Sequence, residues 1–359
     1  MAGAVADRLW KRSAPDAIEA DLAALWRELA QGGAPIARAV MSNLIVFRAR
    51  ARAGDADVAA VAAGLPLDEV AARHPSRMIV LEHCDDASPN APFAAGVGIV
   101  TFGPPQARYG VEQIVFRSAC PDASLLSILR RFVRGDLPTT VWCTEDLSEQ
   151  PPLPPLLEVG RQLLYDSRRW RDVRRGIHAL AAIVDRPHLE VADLNWRRLD
   201  PLRRVLADAR GPLTSATWHG VEATITHAPG EDAIASLCAA WIRSETGGTT
   251  STSVVPADTR SAADRSAPAS AEGSGASTVA RAASGGGSLS LERDTVLSVS
   301  IADLIATLTA KTVDIVSASA PHLSVGVRVE TEAEAIAAEL RSLSSDAVLV
   351  TALKTLAVQ

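Results

Sequence analysis

The chain has 359 residues, 47% of them apolar and 22% charged, which is an ordinary balance for a globular protein. At roughly 100–200 residues per domain, it can hold two or three domains with buried cores. Forty-two acids against 36 bases leave a net charge of −6, which argues against nucleic acid as the main partner, because nucleic-acid binders carry a basic excess.

Met1 to Pro15 holds no apolar run of the secretory kind, and nowhere do 18 residues run apolar without a charge. Neither a secretory signal nor a membrane span is expected. The first helix is expected over Pro15–Leu29, with Ile18, Leu22, Leu25, Trp26 and Leu29 on one stripe. Met41–Phe47 is a short apolar run, and Val58–Arg73 reads as helix interrupted at Pro66. Arg77–His83, Ala94–Phe102 and Val111–Phe116 read as strands bounded by turn residues. A helix over Pro121–Val133 and a strand over Pro138–Cys143 follow, then a proline-rich loop, a short strand at Gln162–Tyr165 and a helix to about Ile183. This alternation predicts an α/β domain.

Asp200-Pro201 reads as an N-cap followed by proline at the first helical position. Gly220–His227 alternates as a strand, and Glu231 and Asp232 open a helix carrying Ile234, Leu237, Cys238 and Trp241. From Thr246 to Leu289 the chain is nearly all Gly, Ser, Thr, Ala and small polar residues, too poor in apolar surface to offset its ordering entropy, and it is expected to be a disordered loop. Val296–Leu308 fits strand or helix. Thr312–Ser317 and Leu323–Val329 read as strands. Thr331 and Glu334 form a capping box for a helix to Leu343, and another helix is expected over Ala347–Val358. The expected architecture is two mixed α/β domains, 1–190 and 191–359, the second interrupted by the 246–289 loop.

Catalytic signatures are missing. There is no GxxxxGK[ST], no GxGxxG ahead of a helix, no GxSxG and no HExxH. Gly96-Val97-Gly98 sits inside a strand, where close packing explains it. Cys84, Cys120, Cys143 and Cys238 are scattered without a CxxC, so they read as reduced, cytoplasmic thiols, and no metal site or cofactor is expected. His83 and Cys84 are adjacent on a strand and so point to opposite faces. His74, Ser76 and Arg77 at a strand entrance form a possible anion site, against the plainer reading of a helix stop and turn. Arg168 and Arg169 belong to an arginine cluster that suits a phosphorylated metabolite, or simply a solvated helix face. The most distinctive stretch runs Asp193-Leu194-Asn195-Trp196-Arg197-Arg198-Leu199-Asp200-Pro201, with Arg203 behind it. Trp and Asn beside arginines suit a partner-binding surface; they equally suit a joint between domains, with Trp196 filling it.

This stretch resembles the glucose-6-phosphate dehydrogenase assembly protein family, OpcA, whose pattern reads Asp-Leu-Asn-Trp, then a Pro and an amphipathic helix. Met41–Val46, His74–Leu81, Asp136–Pro138 with Val141-Trp142, Leu164–Ser167 and Val327–Leu356 resemble further family segments in the same order. The resemblance implies a cytoplasmic, non-catalytic partner that activates the glucose-6-phosphate dehydrogenase oligomer and so supports the oxidative pentose phosphate pathway. It implies no cofactor of its own. On residue types, Asp193, Asn195, Trp196, Arg197 and Arg203 are the candidate partner-binding residues, with docking expected of the arginines and a structural role of Trp196. The alternative is a sensor reading a phosphorylated metabolite through its arginines.

Overall fold

The computed structural model of the chain describes residues 5–32, 35–50, 58–84, 94–118, 122–209, 218–255, 295–318, 321–343 and 346–358. It begins with β1 (Val5–Ser13), α1 (Ile18–Gln31), β2 (Ile36–Arg38) and β3 (Ser42–Arg50). A 3-10 turn at Val58–Ala62 leads to α2 (Leu67–Arg73), β4 (Ser76–Cys84), β5 (Ala94–Phe102) and β6 (Arg108–Ser118). Then come α3 (Asp122–Phe132), β7 (Thr139–Cys143), α4 (Pro154–Val159) and β8 (Gln162–Tyr165). α5 (Val173–Ala181), β9 (Glu190–Asp193) and α6 (Leu194–Ala209) follow. Next are β10 (Ala223–His227), α7 (Asp232–Thr246), β11 (Thr250–Val254), β12 (Thr295–Ile301), β13 (Leu304–Thr309), β14 (Thr312–Ser317) and β15 (Leu323–Gly326). The chain ends with α8 (Glu332–Ser342) and α9 (Ala347–Ala357).

These elements form two compact units, Met1–Leu199 with Val329–Gln359, and Asp200–Arg328. The first is built on a nine-stranded sheet in the order β1-β5-β6-β4-β3-β7-β8-β9, with β2 added to β6. The run β6-β4-β3-β7-β8-β9 is parallel throughout, while β5 and β1 are antiparallel additions. Counted in chain order, those parallel strands stand 3-2-1-4-5-6, the order of a Rossmann-type sheet. Its order reverses between β3 and β7.

Both faces of the sheet are covered, which is why these strands read as unbroken apolar runs. Leu44, Val46, Met78, Val80 and Trp142 point to one face and pack with Val70 and Ala71 of α2 and Ile336 and Leu340 of α8. On the other face Phe116 meets Phe132 of α3, ring centroids 6.0 Å apart. The glycines of β5 make room for Trp10 on β1: a Cβ would come within 2.5 Å of its ring at Gly96 and 2.7 Å at Gly98. Close packing therefore accounts for that glycine pair.

The second unit carries a six-stranded sheet, β11-β10-β12-β13-β14-β15. β10 and β11 are parallel and the rest is an antiparallel meander. Val296–Leu308, ambiguous in sequence, is the β12–β13 hairpin. α7 ends at Gly247, whose φ of 64° is left-handed and favours glycine. The expected 246–289 loop is corrected at its start, since Thr250–Val254 pairs with β10 as a strand; 256–289 lies outside the described residues. α6 is corrected too. It begins at Leu194, so Pro201 lies inside the helix, not at its first turn. The proline removes one backbone bond there, next to the boundary at Leu199. The sequence division at 190/191 had grouped α8 and α9 with the second domain, whereas they pack within the first unit. Among the described residues, no helix is long and apolar enough to cross a membrane.

Candidate functional site

In an open parallel sheet, ligands bind beyond the carboxyl ends of the strands at the reversal of order. Here that place lies between the ends of β3 and β7. The backbone N–H and the hydroxyl of Thr144 both donate to the Phe47 carbonyl, at 3.2 and 3.0 Å. The Glu145 carboxylate turns back and accepts from the Ala49 N–H at 3.1 Å and the Thr144 hydroxyl at 3.2 Å. Arg48 reaches away to the carbonyls of Val61 and Ala63. A dinucleotide crevice offers free N–H groups and glycines to a diphosphate. This one presents a carboxylate already bonded to the Ala49 N–H. The Ala49 N–H is therefore already taken and is not offered to a diphosphate. The sequence signalled this only by the missing glycine motif; Glu145 itself carried no signal.

The Asp193 stretch sits at the ends of β8 and β9. Asp193 is buried, and its Oδ1 accepts from the N–H groups of Ser167, at 3.1 Å, and Asn195, at 2.8 Å. Asn195 is fully buried; its side chain donates to the Ser167 hydroxyl at 3.0 Å and accepts from Arg198 at 2.9 Å. Trp196 is 4% exposed and its indole N–H donates to the Asp346 carboxylate at 2.6 Å. Asp346 in turn caps α9 through the N–H groups of Val348 and Leu349. Arg197 grips Glu330 with two hydrogen bonds and reaches Glu339 at 3.1 Å. The Glu330 bond holds the Arg197 proton more tightly, while burial lifts the Glu339 carboxyl. Arg203 lies apart in the second unit, its guanidinium 5.8 Å from the Trp241 ring centre.

Burial, and then the nearby Asp166 carboxylate, push the Asp193 carboxyl up to about 7. Its Oδ2 and the Tyr165 hydroxyl are both buried without a hydrogen-bond partner. The folded chain thus holds this proton to about pH 7, while the unfolded chain releases it near 3.8. The stability contributed by this group is greatest below 3.8 and is lost as pH rises through about 7. Asp193→Asn keeps the Oδ1 acceptor and removes the titration. The variant should gain melting temperature on the parent between pH 5 and pH 8, read by thermal unfolding at both. A difference that stays constant with pH would mean that Asp193 is ionised throughout.

The proposed anion residues do not converge. His74 and Ser76 lie in one buried knot, with Ser42 Oγ 3.1 Å from His74 Nε2 and 2.9 Å from Ser76 Oγ. Burial, helped by Arg341, lowers the His74 pKa, which favours the neutral ring. Arg77 follows Ser76 on β4 and so points to the opposite face. There it is 2% exposed and paired to Glu112 at 2.8 Å and to Glu19. Arg168 and Arg169 stand at the other end of the parallel strands. Arg168 bonds both Asp166 oxygens, and Arg169 binds Glu332 and the Thr144 carbonyl. The acid partners were invisible in sequence; those of Trp196 and Arg197 lie 133 to 150 residues away. Cys143 and Cys238 are buried thiols, each raised by burial to about 12. Among the described residues, no group of three His, Cys, Asp or Glu is placed to hold a metal ion.

No curated protein matches the chain. Among solved structures it is similar to UDP-N-acetylglucosamine 3-dehydrogenase GnnA from Acidithiobacillus ferrooxidans, at 13% identity and a TM-score of 0.38, covering 89% of this chain and 96% of that one. An oxidoreductase domain protein from Kribbella flavida is similar at 9% identity and a TM-score of 0.41, covering 89% and 95%. Likeness at this level carries no weight for activity. Two family models do match: the glucose-6-phosphate dehydrogenase subunit N-terminal domain over 67–182, and the C-terminal domain of the same subunit over 189–353. The second takes in the Asp193–Trp196 stretch and its partners Glu330, Glu339 and Asp346. With both halves matched in order, the chain belongs to the glucose-6-phosphate dehydrogenase assembly protein family, OpcA.

Proposed function

We propose that the chain is a non-catalytic assembly factor and activator of the glucose-6-phosphate dehydrogenase oligomer, acting in the cytoplasm in support of the oxidative pentose phosphate pathway. The observation that carries this reading is the match of both family domains along the chain. The Glu145 carboxylate bonded to the Ala49 N–H at the switch point, and the Cys143 and Cys238 thiols held protonated by burial, agree with a role that leaves catalysis to the partner. Such a protein acts by binding the active dehydrogenase oligomer more tightly than the inactive one, shifting the population by its differential affinity. In this reading Asp193, Asn195, Trp196 and Arg197 brace the first unit and do not themselves touch the partner, because the first three are buried and Arg197 is held by Glu330 and Glu339. The arginine-sensor reading gains no support, since Arg77, Arg168, Arg169 and Arg197 are all paired with carboxylates.

Co-sedimentation of the purified protein with the purified dehydrogenase tests the proposal. A faster-moving boundary containing both chains is expected. Independent sedimentation at micromolar concentrations of each would contradict it.

A further inference from the structure

A groove of about 520 Å³ lies within the second unit, between α6 and β15. Pro201, Val205 and Ala209 line one wall, spaced four apart on a single helix face. Leu323 and Val325 line the other and are 40% and 36% exposed, although they point to the same side of the sheet as the buried Val313 and Ile315. β15 is also an edge strand, and among the described residues nothing pairs with its outer side. The Val327 N–H bonds to Lys311, on the β14 side. By alternation, the amides of Leu323 and Val325 face β14, and those of Ser324 and Gly326 face outward. Edge strands are usually blunted by lysine, proline or a bulge. Leu323-Ser324-Val325-Gly326 has none of these. On the rim, Arg204 is paired with Asp200 at 2.6 Å, while Asp208 is exposed and has no ion partner among the described residues.

We infer that β15 and this groove dock an extended segment of the partner dehydrogenase by strand addition; this rests on the assembly reading above. The outward N–H and C=O groups of β15 are satisfied by another strand. The groove takes that strand's aliphatic side chains at alternate positions, and Asp208 takes a basic side chain from it. A second copy of this chain fits less well. β15 is itself uncharged, so paired copies would bring Asp208 no cation from the strand, the nearest being Arg328 two residues beyond it.

The test compares dehydrogenase binding by the parent, Ser324→Pro and Asp208→Lys in a fluorescence titration. Ser324→Pro removes an outward donor and leaves the backbone ladder to β14 in place, as edge strands tolerate, at the loss of the Ser324 side-chain bond to Asp314. Each variant should weaken binding by about threefold to tenfold, the worth of one hydrogen bond or one charge contact, with the melting of Asp208→Lys unchanged. Asp208 is exposed on a helix, so its variant decides the matter if Ser324→Pro fails to fold. Two variants that bind like the parent would overturn the docking site and leave the assembly function standing. A parent that does not bind the dehydrogenase would overturn both. Self-association of the parent that Ser324→Pro abolishes would hand the edge to a second copy and overturn the assignment.

Discussion

Trp196→Ala should destabilise the protein by about 3–5 kcal/mol, the usual cost of truncating a buried tryptophan. The ring is almost wholly buried, so the variant leaves a cavity. It also strips Asp346 of the indole N–H, and Asp346 is the N-cap of α9. Losing the ring therefore loosens the last helix as well as the core beneath it. Urea unfolding of parent and variant reads the loss as a lower midpoint. Arg197→Glu should destabilise in the same direction but less, because that side chain is 32% exposed and solvent screens it. If Trp196→Ala instead melts like the parent and binds the dehydrogenase more weakly, the ring is a docking residue and its burial here is incidental.

Arg77→Ala should cost a comparable amount, about 3–5 kcal/mol, because removing one partner of a buried ion pair leaves the other charge short of one of its cations. Glu112 is 5% exposed and keeps only part of its support, from Arg38, the Trp26 indole N–H and, at 3.9 Å, Arg134. Adding Glu112→Gln to the Arg77 variant should recover part of the loss, since the remaining group no longer carries a charge. The same pair settles the anion question at this strand entrance. Inorganic phosphate should not raise the melting temperature of the parent, because the guanidinium is already shared by two carboxylates. A phosphate-dependent rise that Arg77→Ala abolishes would restore Arg77 as an anion ligand.

The interior of the first unit was legible because parallel strands buried on both faces leave unbroken apolar runs between breakers. Met78–Leu81 and Val141–Cys143 are examples. β1 was not legible. Its sequence, Val-Ala-Asp-Arg-Leu-Trp-Lys-Arg-Ser, is that of a charge-protected edge strand, and among the described residues it pairs only with β5. β11 was missed for the opposite reason: Thr-Ser-Thr-Ser-Val is as polar as the loop it begins, and only its pairing with β10 makes it a strand. Pro201 misled the reading of α6, because a proline after an aspartate signals a helix start, while the capping interaction eight residues earlier comes from Asp193. The capping box of α8 was legible as a local pattern. Its return to the first unit was not, since that rests on Ile336 and Leu340 meeting strands more than 170 residues away along the chain. The same limit applies to the site. Residue types at 193–197 announced importance, but whether they bind outward or inward depends on Glu330, Glu339 and Asp346, which no local pattern ties to them.

The most direct test of the central claim is the initial rate of glucose-6-phosphate dehydrogenase measured across glucose 6-phosphate concentrations, with increasing amounts of this protein added. The account predicts a saturable rise in activity, as a lower half-saturation for glucose 6-phosphate or a higher maximal rate, levelling off at a fixed ratio of the two proteins. Rates that stay the same at every ratio, with both proteins folded, would contradict it.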